Sequence, residues 1–170
     1  MPMISIAMAA QMKSDLDGCT SDGLSKMWDS ICSYVKSNAQ VLYSWVAFSS
    51  SVPPTPDPMV VITASIDTSG SSLSVPGIDQ ITDTDTALSM ISAGMNLSAA
   101  KWKIKFPTGF SVSPCFVIPS ISLRASNSSI QMTALQSICS DVISGITAAT
   151  PGMAGTHTIY TGTGIFSSIM

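Results

Sequence analysis

Leu24, Met27, Trp28, Ile31, Tyr34 and Val35 recur at helical spacing and define one apolar face of a helix that begins after Ser21-Asp22. That dipeptide offers N-cap chemistry at the helix start. Leu135, Ile138, Cys139, Val142, Ile143 and Ile146 form the same kind of stripe, predicting a helix over residues 130–146. A short helix is expected over 4–13, broken by Asp15-Leu16-Asp17-Gly18. Another is expected over 86–97, with Asp83 and Asp85 near its N-terminus.

Elsewhere the period changes. Residues 41–48 are β-branched and aromatic without helical gaps and read as a strand. Residues 59–66 read as a second strand, with Val60, Ile62, Ala64 and Ile66 on one face. Residues 101–106 alternate between Trp102, Ile104 and Phe106 on one side and Lys101, Lys103 and Lys105 on the other, the pattern of a half-buried strand with a wet lysine face. Residues 115–123 are expected as a strand in which Pro119 forces an edge or a bulge. Residues 156–170 close the chain as a strand interrupted by Gly162 and Gly164. Four prolines make 49–58 a loop with extended stretches, and 67–76 is a Ser/Gly-rich loop.

The predicted order is one helix, two α-β-β units, then α-β. This points to an α+β fold with a mainly antiparallel sheet and three to four helices. One domain spanning 1–170 is the expectation, with a helical N-terminal segment over 1–20 and a Pro-rich loop over 51–58. Residues 30–35 and 137–142 match at five of six positions, which leaves both chance and an internal duplication of the two α-β-β units open.

Composition narrows the functional classes. The chain has ten acids, all Asp, against seven Lys and Arg, and only 10% of its residues are charged. A soluble domain usually carries about 25%. Ser and Thr supply 46 of the 170 residues. Surface charge keeps solitary domains apart, so a chain this poor in it is expected to spend its life covered by neighbours. So few basic residues cannot make a broad phosphate-binding surface, and nucleic acid is not an expected partner. No apolar run reaches membrane-spanning length. The apolar stretch 1–10 lacks the basic region of a secretion signal and reads as mature protein.

Candidate chemistry is sparse. Cys19, Cys32, Cys115 and Cys139 lie far apart in sequence, with no C-x-x-C pair, and are expected as free thiols. His157 is the sole histidine, and any Ser-His-Asp or Cys-His site would have to use it. It lies in a strand between Thr156 and Thr158 with no nucleophile elbow nearby. Asp15-Leu16-Asp17-Gly18 has the start of a calcium loop but not its closing Glu. Asp79, Asp83 and Asp85 could gather a hard cation, or serve the positive end of the following helix. Thr161-Gly162-Thr163-Gly164 has no helix behind it to hold phosphate and instead allows close backbone approach. The sequons at Asn96 and Asn127 carry little meaning without an export signal. No catalytic, cofactor-binding or metal site is expected.

Contact surfaces have better candidates. Trp28, Trp45 and Trp102 are either core residues or interface anchors. Eleven methionines offer adaptable packing. The stretch Val52-Pro53-Pro54-Thr55-Pro56-Asp57-Pro58 forms a stiff arm that either lies across a neighbour or bridges two strands.

The run Tyr34-Val35-Lys36-Ser37-Asn38-Ala39, the extended 41–48, Pro56-Asp57-Pro58 leading into Met59-Val60-Val61, and the closing Gly155-Thr156-His157-Thr158 and Gly162-Thr163-Gly164 give the chain a recognisable style. It resembles small structural proteins of tailed bacteriophages, such as neck, tail and baseplate components. The resemblance implies rings or wedges of repeated copies, no cofactor and no active site. It implies copies of itself and other virion proteins as partners, with no membrane, nucleic acid or small-molecule substrate. The location implied is the virion, after synthesis in the host cytoplasm. A secreted adhesin or pilus-like binding module is the alternative, because Ser/Thr richness and low charge suit it too. A hydrolase using His157 is a third class.

Overall fold

The computed structural model describes residues 2–47, 60–107, 115–151, 157–159 and 162–170. The chain runs α1 (Ser5–Leu16), α2 (Gly23–Asn38), β1 (Val41–Ala47), β2 (Val60–Asp67), a 3-10 turn (Ile78–Gln80), α3 (Thr84–Ala99), β3 (Lys103–Lys105), β4 (Val117–Ile118), α4 (Gln131–Thr147), β5 (Thr150–Pro151), β6 (His157–Ile159) and β7 (Gly162–Ile169). Helices and an antiparallel sheet in one chain make the fold α+β, as the pattern predicts.

The main sheet has the order β3-β2-β1-β7-β6, with every neighbouring pair antiparallel. β7 therefore comes from the far end of the chain and slots beside β1, with a register shift between Leu42 and Tyr43. β4 pairs with β5 and reaches β3 through the Lys103–Phe116 bridge. Alternation sorts the two faces. Val41, Tyr43, Ile62, Ala64, Ile66, Trp102 and Ile104 are buried, while Val61, Thr63, Lys103 and Lys105 are exposed. α2 packs on β2 and α4 on β7, and α1 rests against both helices.

Trp28 and Trp102 stack at the centre of this core, with ring centroids 5.4 Å apart and planes 16° from parallel. Both are fully buried, so these two are core residues. The side chain of Trp45 lies outside the described residues. Serines finish the polar edges of the core. The Trp28 indole N–H donates to Ser71 Oγ at 3.1 Å, Ser71 Oγ donates to the Ser98 carbonyl at 3.0 Å, and Ser98 Oγ donates to the Ser72 carbonyl at 2.7 Å. Thr68 Oγ1 donates to the Cys32 carbonyl at 3.1 Å. Part of the Ser/Thr enrichment is thus used inside, where short hydroxyls satisfy buried carbonyls.

Three local expectations need correction. The first helix is not broken at Asp15, because α1 continues through Asp15 to Leu16 and ends at Asp17. Asp22 occupies the N-cap of α2 but sits in the left-handed region at φ 58°, and its side chain makes no capping bond. Its carbonyl still accepts from Lys26 N at 3.0 Å, so the backbone alone opens the helix. The strand expected over 115–123 forms a ladder with β5 only at Val117 and Ile118. Alternating burial nonetheless continues through Cys115, Val117, Pro119, Ile121 and Leu123. Pro119 lacks an N–H and ends the ladder. The loop expected over 49–58, including the Pro-rich 51–58, lies outside the described residues, as do Phe48 and Met59 at the ends of the first two strands.

The helices that hold the 30–35 and 137–142 echo agree in part: Ser30 and Ile31 are buried, whereas Ser137 and Ile138 are half-buried. Cys32, Val35, Cys139 and Val142 all face the core. The strands after them differ: β1 and β2 are neighbours in the main sheet, whereas β5 pairs with β4.

Candidate interaction surface

Helices cover one face of the sheet, and the register assembles the other. Leu42 lies opposite Thr63, Ser44 opposite Val61, Ser65 opposite Lys105, and Asp67 opposite Lys103. Lys103 in turn faces Phe116 across the bridge to the β4 segment. Val61, Phe116 and Ile118 are exposed there, with Val61 at 57% of its free accessibility. Among the described residues, this face mixes small hydroxyls with the exposed apolar side chains of Val61, Phe116 and Ile118 and a few charges. Such a mixed, moderately apolar surface resembles non-obligate protein interfaces more closely than a ligand pocket.

At one corner of this face the C-terminal turn of α2 meets β2 and β3. Lys36, Asn38, Gln40, Thr63, Ser65 and Lys105 help to line a groove of about 420 Å³ there. It adjoins a depression of about 250 Å³ in which Lys36, Ser65 and Lys105 recur beside Asp67 and Ser69. The Ser69 hydroxyl and N–H both donate to Asp67 Oδ1, at 2.6 and 3.1 Å. These bonds hold the Asp67 carboxyl below its ordinary pKa, and the charges of Lys36 and Lys105 add to the effect.

A second feature lies on the helical side. The extended segment after β4 rests between α3 and α4 and is held by their side chains. Asn96 clasps Ile121 from both sides: Ile121 N donates to Asn96 Oδ1 at 2.8 Å, and Asn96 Nδ2 donates to the Ile121 carbonyl at 2.9 Å. Leu123 N donates to Ser92 Oγ at 2.9 Å. Ser120 N donates to the Gly145 carbonyl at 3.0 Å. Arg124 N donates to Asp141 Oδ2 at 2.9 Å, while its guanidinium donates to Oδ1 at 2.7 and 3.2 Å. Asp141 is buried, and the Arg124 side chain is 81% exposed, so one fork neutralises a core carboxylate from outside. The segment lies so close to α4 that a Cβ built on Gly145 would stand 2.5 Å from Ile121 Cα.

The residues that the sequence singles out as candidates are scattered over this frame. Cys19, Cys32, Cys115 and Cys139 are free thiols, the last three buried. Burial pushes Cys32 up to about 11 and Cys139 up to about 12, and raises Cys115 as well. Little thiolate exists in them at neutral pH, which suits structural rather than nucleophilic cysteines. His157 pairs with Gly164 in the β6–β7 ladder. Its side chain, and Thr156 beside it, lie outside the described residues. Gly162 and Gly164 sit within β7, opposite Ala47 and Trp45 of β1.

Asp83 caps α3, accepting from Thr86 N at 2.8 Å and Thr86 Oγ1 at 2.6 Å, and these bonds lower its pKa. Asp79 and Asp85 are exposed nearby. Asp17 pairs with Lys13 at 3.0 Å. Among the described residues, no three His, Cys, Asp or Glu side chains gather as a metal site. No helix among them is long and apolar enough to cross a membrane. Asn96, first met as a sequon, is occupied by Ile121, whereas Asn127 is exposed in the loop before α4.

Sequence reasoning does not single out Asp141, Arg124 or Ser92. Asp141 alone leaves a trace, as a charge on the otherwise inward face of α4. No protein-family model, curated protein or solved structure matches this chain.

Proposed function

We propose that this chain is a non-enzymatic structural subunit of a bacteriophage particle, assembling through low-charge surfaces into a ring or wedge of the neck, tail or baseplate. The supporting observation, among the described residues, is the covering of the sheet on one side. Helices bury its inner face, while the outer face offers Val61, Phe116 and Ile118 among hydroxyls. Neighbouring copies can cover such a surface without stranding many charges, whose desolvation is costly. The burial of Cys32, Cys115 and Cys139, which raises their pKa values, agrees with a role in packing rather than chemistry.

Electron microscopy of the purified chain tests the reading. Rings, arcs or wedges of repeated subunits are expected. A field of single particles of monomer size, unchanged on concentration, would contradict it.

A further inference from the structure

Charge is scarce in this protein, and its distribution is uneven. Lys36 and Lys105 wall the groove at the corner of the sheet, and Lys103 stands two residues before Lys105 on the same outward face. Asp67 lines the adjoining depression with Lys36 and Lys105 and lies opposite Lys103, its carboxylate held by Ser69. Among the described residues the ion pairs are Lys13–Asp17 and Arg124–Asp141, so no groove lysine takes part in one. Among the described residues, Lys36, Lys103 and Lys105 outnumber Asp67 and leave this corner with a net positive charge, in a molecule whose overall charge is −3.

The complementary feature is the exposed segment from the 3-10 turn to the first turn of α3. It presents Asp79, Asp83 and Asp85 within seven residues. None of the three lines the lysine groove. Asp85 instead borders a different depression, beside Leu88, Ser92 and Arg124, whose guanidinium is taken up by Asp141. A molecule with a basic groove on one part of its surface and an acidic projection on another cannot satisfy both by itself. A second copy can satisfy them, because charge complementarity selects both partner and register.

We propose that the groove walled by Lys36 and Lys105 receives the 79–85 segment of a second copy of this chain, joining copies head to tail. The proposal rests on the self-assembly reading above and names the surface through which it happens. Groove and segment are different patches, so the contact is heterologous and propagates until it closes a ring or extends as a filament.

Paired charge reversals on the full chain test this, read by sedimentation velocity with circular dichroism to check folding. Lys36→Glu with Lys105→Glu, and separately Asp79→Lys with Asp85→Lys, should each weaken self-association by about tenfold or more, since like charges then meet across the contact. An equimolar mixture of the two variants should recover assembly, because each reversed groove meets a reversed segment. The neutral pairs Lys36→Gln with Lys105→Gln and Asp79→Asn with Asp85→Asn should weaken assembly less and show no rescue on mixing. They decide the matter if a reversal disturbs folding. Raising salt should weaken the unaltered protein's association. Unaltered association in the variants, or no recovery in the mixture, overturns this contact while leaving self-assembly standing. A wild-type chain that never associates overturns both.

Discussion

Asn96→Ala removes both halves of the clasp on Ile121 and fills neither. The two lost bonds, at 2.8 and 2.9 Å, belong to the backbone N–H and carbonyl of a residue that is only 3% exposed. A made hydrogen bond is worth about 0.5–1.5 kcal/mol, whereas a buried group left unpaired costs about 1–3 kcal/mol. Partial water access at this part-buried site keeps the total toward the lower end, so about 2–4 kcal/mol is expected. For a domain of this size each kcal/mol moves Tm by about 2–4 °C, giving a fall of roughly 5–15 °C. Urea unfolding with a shared m-value measures the free energy directly. Asn96→Asp separates the two halves. It keeps an acceptor for Ile121 N–H but turns a carboxylate toward the Ile121 carbonyl, so at neutral pH it should do no better than Ala. A loss below about 0.5 kcal/mol for Asn96→Ala, the range of an ordinary surface change, would refute the idea that side chains substitute for a strand ladder along this segment.

Gly145→Ala should destabilise by about 1–3 kcal/mol or more, because the new methyl meets the Ile121 backbone at 2.5 Å and not a side chain that can swing away; a neutral thermal melt would mean that the segment is held less closely. The buried thiols should make stability fall in alkali. In the unfolded chain they ionise from about pH 9, whereas Cys32 and Cys139 keep their protons up to about 11 and 12, so stability present below pH 9 is lost as pH rises through that window. Cys32→Ala with Cys139→Ala should flatten that part of the pH–stability curve, and an unchanged curve would count against burial as the cause. At pH 8, iodoacetamide should modify Cys19 in the folded protein and all four cysteines only after denaturation.

Much of the fold could be read from periodicity because the two sides of each element meet different surroundings. The alternation in 101–106 sorts Trp102 and Ile104 inward from Lys103 and Lys105, and the stripes around Trp28 and Val142 mark the buried faces of α2 and α4. Strand partners could not be read this way. β7 pairs with β1 across most of the chain, and no local pattern specifies which strand fills that place. The segment after Val117 shows the same limit in another form. Its extended character is readable from the sequence, but its backbone partners are Asn96, Ser92 and Asp141, which approach from helices remote in sequence. The sequence places Asp83 near the positive end of α3 but not as its cap, which bonds Thr86, whereas Asp22, expected as a cap, lies in a left-handed backbone that leaves its side chain unused. The proposed interaction surface is legible as a shortage of charge but not as a place. Locating Lys36 beside Lys105 takes the packing of α2 against β2 and the pairing of β2 with β3.

Sedimentation velocity of the purified chain over a hundredfold range of concentration, at low and moderate salt, addresses the central claim most directly. A mass that climbs above the 17.7 kDa of a single chain toward a discrete multiple is the predicted result. A single boundary at monomer mass across the whole range would contradict the account.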